Sequence, residues 1–260
     1  KKLKTPLYKL LGGKFRNKIP LTYVITNSYK PKILIEKAKR AVEKGYKVLK
    51  IKVGELTPNI DVERIRALRK ELDKDIEIRI DANQAWSPSK AVQVMRKIER
   101  YEIQYLEQPV PAWDFDGLAY VRKKIDTPIM ADESLFTLEN AMMLIKKEAV
   151  DLFNTKILKG GLNSVKKMAA IAEASGIQCM VGGAWLSISA AAGLLFAAST
   201  KNVSYSSEFC GEMFYGDKDI VKERVKPQDG YVELIKKPGL GVELDKEKIN
   251  KFKGTLKCRY

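Results

Sequence analysis

Three acidic residues, Asp81, Glu107 and Asp132, each close a short apolar run, IEIRIDAN, IQYLEQP and TPIMADES, at intervals of 26 and 25 residues. An interval of that length holds one strand and one helix, the unit that brings successive strand ends to one rim of a parallel barrel. Carboxylates gathered on one rim are hard oxygen donors, which suit magnesium, with manganese as the alternative ion. The chain contains no histidine. Triad chemistry and His-ligated zinc are thereby excluded, and a general base must be Lys, Asp, Glu or Tyr.

The lysines supply one. Lys50 and Lys52 alternate with Ile51 in VLKIKV, so in a strand they share a face. That run is too apolar for a solvent edge, and two ammoniums turned into a barrel need carboxylates opposite. Lys156, in FNTKIL, has the same requirement. Desolvation, a nearby dication and a neighbouring ammonium all lower a lysine pKa toward working pH, and Lys50 is the neighbour of Lys52. Taking strand ends as the working rim selects Lys50, Lys52, Asp81, Asn83, Glu107, Gln108, Asp132, Glu133 and Lys156. Strands two and six of an eight-membered ring face each other, so Lys52 and Lys156 would flank a substrate carbon. A racemase or epimerase needs that arrangement, and a metal on the substrate carboxylate would stabilise the enolate between the two proton transfers.

The elements that must hold these groups are legible by period. Strand-like runs lie at 20–26, 48–53, 76–81, 104–108, 128–133, 152–157, 178–183 and 203–208, each apolar enough to be buried on both faces. Helix-period segments lie between them at 31–44, 58–72, 88–101, 115–124, 138–147, 161–175 and 187–199, with start signals such as Ser87-Pro88 and Thr137. Eight strands with seven intervening helices predict an α/β fold, a TIM barrel of the (β/α)7β type. An open doubly wound sheet would need an early glycine-rich phosphate loop, which is absent. Beyond residue 210 the chain is punctuated by Gly and Pro, with QDGYVEL and KKPGLGVEL read as hairpin or extended pieces. Three segments follow: 1–19 leading into the barrel, 20–209 the barrel, and 210–260 a tail.

With 260 residues and 45% hydrophobic content the chain can build one large core. The net charge of +16 comes from lysines interleaved with Glu and Asp on helix-like segments, read as solvated faces rather than a nucleic-acid footprint. No membrane span or signal-peptide core is evident, and the run around residues 188–198 reads as a buried helix. Cys179, Cys210 and Cys258 lack metal-ligand spacing and read as reduced thiols of a cytoplasmic protein.

The ordered set Lys-x-Lys, Asp-x-Asn, Glu-Gln-Pro, Asp-Glu-Ser and Asn-x-Lys resembles the enolase superfamily, and within it the muconate lactonizing enzyme subgroup, over nearly the whole chain from PLYKLLGG to PGLGVELD. The resemblance implies Asp81, Glu107 and Asp132 as metal ligands, Lys52 and Lys156 as the acid–base pair, Lys50 as a cation beside the enolate, and Asn83 and Glu133 as supporting residues. It implies an isomerase, a homo-oligomer acting on a small carboxylate: a racemase or epimerase of a dipeptide or N-acylamino acid, with muconate cycloisomerase or o-succinylbenzoate synthase as alternatives. A barrel fragment without activity, or a basic binding module, is the alternative of another class. Most of the family's amino-terminal capping domain is missing from the sequence, with 1–19 its remnant and the tail returning toward it. After strand seven, relatives carry a glutamate where VGGAWLSIS has Trp185, read as core packing or, alternatively, as a wall of the substrate pocket. After strand eight, dipeptide epimerases carry Asp-x-Asp where YSSEFCGE offers Glu208 as a substitute for holding a substrate ammonium.

Overall fold

In the computed structural model, which describes residues 1–26, 30–211 and 218–253, eight parallel strands form a ring. They are β1 Lys18–Ile25, β2 Val48–Lys52, β3 Glu77–Asp81, β4 Ile103–Glu107, β5 Ile129–Ala131, β6 Leu152–Asn154, β7 Gln178–Met180 and β8 Ser207–Glu208. Each pairs with the next in sequence from β1 to β7, and β8 returns to β1 through Leu21–Ser207 and Thr22–Glu208. The gap between β7 and β8 is closed by the bridges Cys179–Val203 and Ala184–Phe209 and by Glu208 N–H donating to Val181 O at 2.8 Å.

The strands beyond β4 are shorter than their apolar runs predict, and at the ends of β5 and β7 side-chain acceptors replace ladder acceptors. Asp132 N–H and Ser134 N–H both donate to Gln108 Oε1 at 3.0 Å, which turns the chain after Ala131. Gly182 N–H donates to Asn154 Oδ1 at 3.0 Å, which ends β7 before the expected 183. Asp132, Glu133 and Lys156 therefore sit in loops just past strands, where their side chains can turn over the mouth. β1, by contrast, begins at Lys18, inside the segment read as a lead-in.

Helices α2 Pro31–Glu43, α3 Pro58–Glu71, α4 Pro88–Ile98, α5 Phe115–Arg122, α6 Leu138–Lys146, α7 Gly161–Ala174 and α8 Ser187–Ser199 wrap the ring, after a short α1 at Leu7–Leu10. Their starts follow the local chemistry. Ser87 Oγ accepts from Lys90 N–H ahead of Pro88, and Thr137 and Asn140 exchange bonds in a capping box that opens α6. The expected single helix over 88–101 ends at Ile98 and tightens into a 3-10 turn, Glu99–Tyr101. α8 is buried around nearly its whole circumference, as its composition predicts. Most of the mixed charge of α2 and α3 faces outward, with Lys39 and Glu71 paired across them at 2.8 Å, while Asp61 and Arg64 of α3 are buried as a pair at 2.6 Å. No helix among the described residues is long and apolar enough to cross a membrane.

The tail adds β9, Tyr231–Glu233, antiparallel to the start of β1. Asp229 and Gly230, at φ of 49° and 73°, make the two-residue turn that QDGY predicts. The KKPGLGVEL segment forms no strand; it contributes the isolated bridges Pro6–Gly239 and Val221–Leu244. A final helix, α9 Lys246–Lys253, falls in the lysine-rich end, to which the sequence reading assigned no element.

Inside the ring, Arg79 closes the end opposite the rim. Its guanidinium donates to Thr22 Oγ1 at 2.7 Å, Ser206 O at 2.9 Å and Gln104 Oε1, and lies 4.9 Å and 5.5 Å from the ring centres of Tyr105 and Tyr205. Hydrogen bonds and aromatic faces thus replace water around a fully buried cation. Solvent reaches the interior charges from the carboxyl-end rim.

Candidate active site

The parallel register sets the site. Lys52 pairs with Asp81 across β2 and β3, and Asp81 with Glu107 across β3 and β4, so all three side chains enter the barrel at one level. Lys50 lies two residues deeper on the same face. It is 2% exposed, 3.0 Å from Glu107 Oε2 and 3.4 Å from Asp81 Oδ2, and also pairs with Glu208. Burial lowers its pKa, but Glu107, Glu208 and Asp81 outweigh that and hold it well above its ordinary value. Lys50 is therefore an ammonium held by three buried carboxylates. Glu208, which the sequence offered for a substrate ammonium, is buried and pairs with Lys50.

At the mouth, Lys52 Nζ donates to Asp81 Oδ2 at 2.6 Å and to Asn83 Oδ1. Lys156 donates to Asp132 Oδ2 from four strand positions around the ring. The two lysines thus occupy opposed arcs, each on its own buried carboxylate. Burial lowers the Lys156 pKa, yet Asp132 and Glu107 carry it above its ordinary value; a dication on those carboxylates would act the other way, toward the lowered pKa expected of a base. The carboxylates are the reason. Burial acts to raise Asp81 and Asp132, but Lys50 and Lys52 hold the first below the usual range and Lys159 and Lys156 hold the second well below it.

Lys159 and Asn154 belong to this set: the sequence reading used Asn154 only as the first member of Asn-x-Lys, without a role, and did not single out Lys159. Lys159, 4% exposed, lies 2.8 Å from Asp132 Oδ1 and donates to Asp132 O at 2.6 Å and Asn154 O at 2.8 Å. Asn154 Nδ2 donates to Glu107 Oε1 at 2.8 Å. The signal was present: Asn154 is two residues before Lys156, and Lys159 three after it, on the turn leading into α7. Gln108 is buried beneath the rim and holds the β5 loop in place. Trp185 is 38% exposed. It stands in the loop after β7, outside the hydrophobic core that was one expectation for it, and lines a cavity with Leu186 and Phe209.

Gly183 has a φ of 63°, and a Cβ there would lie 2.9 Å from Lys156 Cδ. Gly183→Ala should therefore push Lys156 aside and strain the turn. Turnover is expected to fall by about 10- to 100-fold, the usual effect of a displacement near 1 Å. Steady-state kinetics beside a melting curve would check this, since the fold should lose only a few degrees.

The donor set fits a hard dication. Asp81, Glu107 and Asp132 are buried, and burial pushes the Glu107 carboxyl up to about 8, with Lys50 opposing and Asp81 and Glu208 adding to the rise. Asp132 Oδ1 and Glu133 Oε2 are buried without a hydrogen bond; Lys159 stands near the former but is not aligned to donate to it. Among the described residues no three such groups converge to coordinating distance, because lysine ammoniums span the oxygens. A dication would take over part of the charge balance those ammoniums now supply.

Residues 34–248 match the family described as enolase C-terminal domain-like. The chain is 38% identical over 245 residues to L-Ala-D/L-Glu epimerase of Clostridium acetobutylicum and 36% identical over 254 residues to N-succinyl-L-Arg/Lys racemase of Bacillus cereus. These alignments cover 92% and 97% of this chain but 66% and 68% of those proteins, so it spans about two thirds of their length. The structure of a dipeptide epimerase from Enterococcus faecalis, complexed with Mg and the dipeptide L-Leu-L-Tyr, superposes with a TM-score of 0.86 at 36% identity, over 93% of this chain and 68% of that one. 2-Chloromuconate cycloisomerase from Rhodococcus opacus superposes with a TM-score of 0.91 at 31% identity, over 96% and 68%. These relatives are isomerases: epimerases, racemases and cycloisomerases. A match over that much of the barrel establishes membership, and the chain belongs to the enolase C-terminal domain-like family.

Proposed function

We propose that the protein abstracts the proton α to a carboxylate and returns it to the opposite face, as a racemase or epimerase of a dipeptide or N-acylamino acid. The observation that carries this reading is the opposed pair Lys52 and Lys156, each seated on a buried carboxylate. Either lysine, as the neutral amine, takes the α-proton; the C–H electron pair moves into the enolate. The other lysine, as the ammonium, then delivers its proton to the far face. Asp81, Glu107 and Asp132 would hold a magnesium ion, which when bound supplies positive charge for the substrate carboxylate and the enolate. Lys50 keeps the buried carboxylates compensated from below, and Gln108 and Lys159 hold the loop that carries Asp132.

Heavy water tests the chemistry: a two-base enzyme incorporates deuterium at the α-carbon as the stereoisomers interconvert. No incorporation across a panel of dipeptides and N-acylamino acids would overturn the reading. Magnesium tests the site. At about 100-fold over its Kd a ligand of the native state adds roughly 2.7 kcal/mol, so the melting temperature should rise by about 5–10 °C. Asp132→Asn should abolish that rise.

Cycloisomerisation is the second reading, favoured by the close superposition on 2-chloromuconate cycloisomerase. It uses one lysine for proton transfer, so it would tolerate loss of the other far better. We further propose that the protein works in the cytoplasm, consistent with buried free thiols at Cys179 and Cys210, and as a homo-oligomer, which sedimentation would check.

A further inference from the structure

We propose that Asn83 and Glu133 are positioning residues for Lys52 alone, so that the two proton-transfer faces of the site are unequal. This inference rests on the two-lysine reading. Lys52 Nζ has two acceptors, Asp81 Oδ2 and Asn83 Oδ1. Among the described residues, Lys156 Nζ has one carboxylate, Asp132, and packs its stem against Gly183.

The Asn83 amide is not free to turn. Its Nδ2 donates to Glu133 Oε1 at 3.0 Å, and an ionised carboxylate can only accept, so Oδ1 must face Lys52. The backbone is pinned as well. Asn83 N–H donates to Asp81 Oδ1 at 2.9 Å and Gln84 N–H to Gln108 O at 2.8 Å, with φ of 41° and 70° at Asn83 and Gln84. Two consecutive left-handed residues without glycine are kept only where surrounding bonds over-determine them.

The consequence follows from tetrahedral nitrogen. A neutral Lys52 amine has two N–H bonds, and Asp81 and Asn83 take both. The remaining direction carries the lone pair in the amine and the third N–H in the ammonium. A proton therefore leaves and returns along one fixed line at Lys52. Lys156, held at a single oxygen, can rotate about its terminal bonds and presents its proton less often in line.

The side chains of Lys52 and Lys156 are 24% and 26% exposed, so their intrinsic access to a small reagent is closely matched. A short pulse of reductive methylation, read by peptide mass spectrometry, follows each lysine against itself from variant to variant. Asn83→Ala or Glu133→Met should raise labelling at Lys52 by about five- to tenfold over the unaltered protein, as one of its two acceptors is lost or freed, and leave labelling at Lys156 unchanged. Glu133→Gln retains an acceptor for Asn83 and should restore the labelling of Lys52 to that of the unaltered protein. If Asn83→Ala does not fold, Glu133→Met leaves the turn intact and carries the same expectation. Face-resolved deuterium exchange should fall about 10- to 100-fold on the Lys52 face only. Equal changes at both lysines, or no change at Lys52, would overturn the proposal. Labelling requires no turnover, so a protein that fails to exchange deuterium refutes the proposed function and still reads the tether.

Discussion

Replacing Lys156 by methionine is expected to slow stereoisomer interconversion by about 10²–10⁴-fold, the usual contribution of a positioned acid–base group. The same loss is expected for Lys52→Met. What separates the two variants is the hydrogen they still exchange. With Lys156 removed, Lys52 should still take a proton from one face and return a solvent deuteron to that same face, so one enantiomer exchanges without inverting. With Lys52 removed, the other enantiomer should do so. Chiral chromatography with mass detection of recovered substrate would read both at once. A variant that loses all exchange on both faces would favour a single-base mechanism and so the cycloisomerase reading. Methionine is chosen because its length keeps the mouth filled while removing the charge.

Lys50→Met should be the most destabilising single change at this site, although Lys50 is not assigned a proton to move. Its ammonium is buried among Asp81, Glu107 and Glu208. Without it those carboxylates face each other in a medium that screens poorly. Breaking a buried ion pair on one side typically costs about 3–5 kcal/mol, which for a chain of this size lowers the melting temperature by roughly 6–20 °C. The double variant Lys50→Met with Glu208→Gln should recover part of the loss, because one uncompensated charge is gone. A double-mutant cycle by thermal or urea unfolding measures that coupling. Coupling near zero would mean that Glu208 is not the partner the geometry makes it. Magnesium should also rescue Lys50→Met more than the wild type, since the ion restores positive charge to the same carboxylates.

The gathering of charged groups at the rim was readable in the sequence, for a definite reason. A barrel strand alternates strictly inward and outward, so the spacing of Lys50 and Lys52 already told that both face inward. The repeat interval put Asp81, Glu107 and Asp132 on one rim. What could not be read was partnership. Glu208 is close in type to a substrate-binding acid, yet the short β8 aims it at Lys50. Trp185 is apolar and follows a strand, which suggested core, but the turn at Gly183 leaves it at the surface. Lys159 is one lysine among many until the chain folds and its ammonium meets Asp132. Arg79 gave no sign that it would be the cation sealing the barrel between Tyr105 and Tyr205.

Sequence by itself determined the fold, the rim and the kinds of group on it, because period and spacing are properties of the chain. Only the tertiary structure decided which lysine neutralises which carboxylate, and that the two mouth lysines are held by unequal numbers of acceptors. Those pairings depend on distances between strands far apart in sequence and on burial, which sets how strongly each charge is felt. No periodicity encodes either.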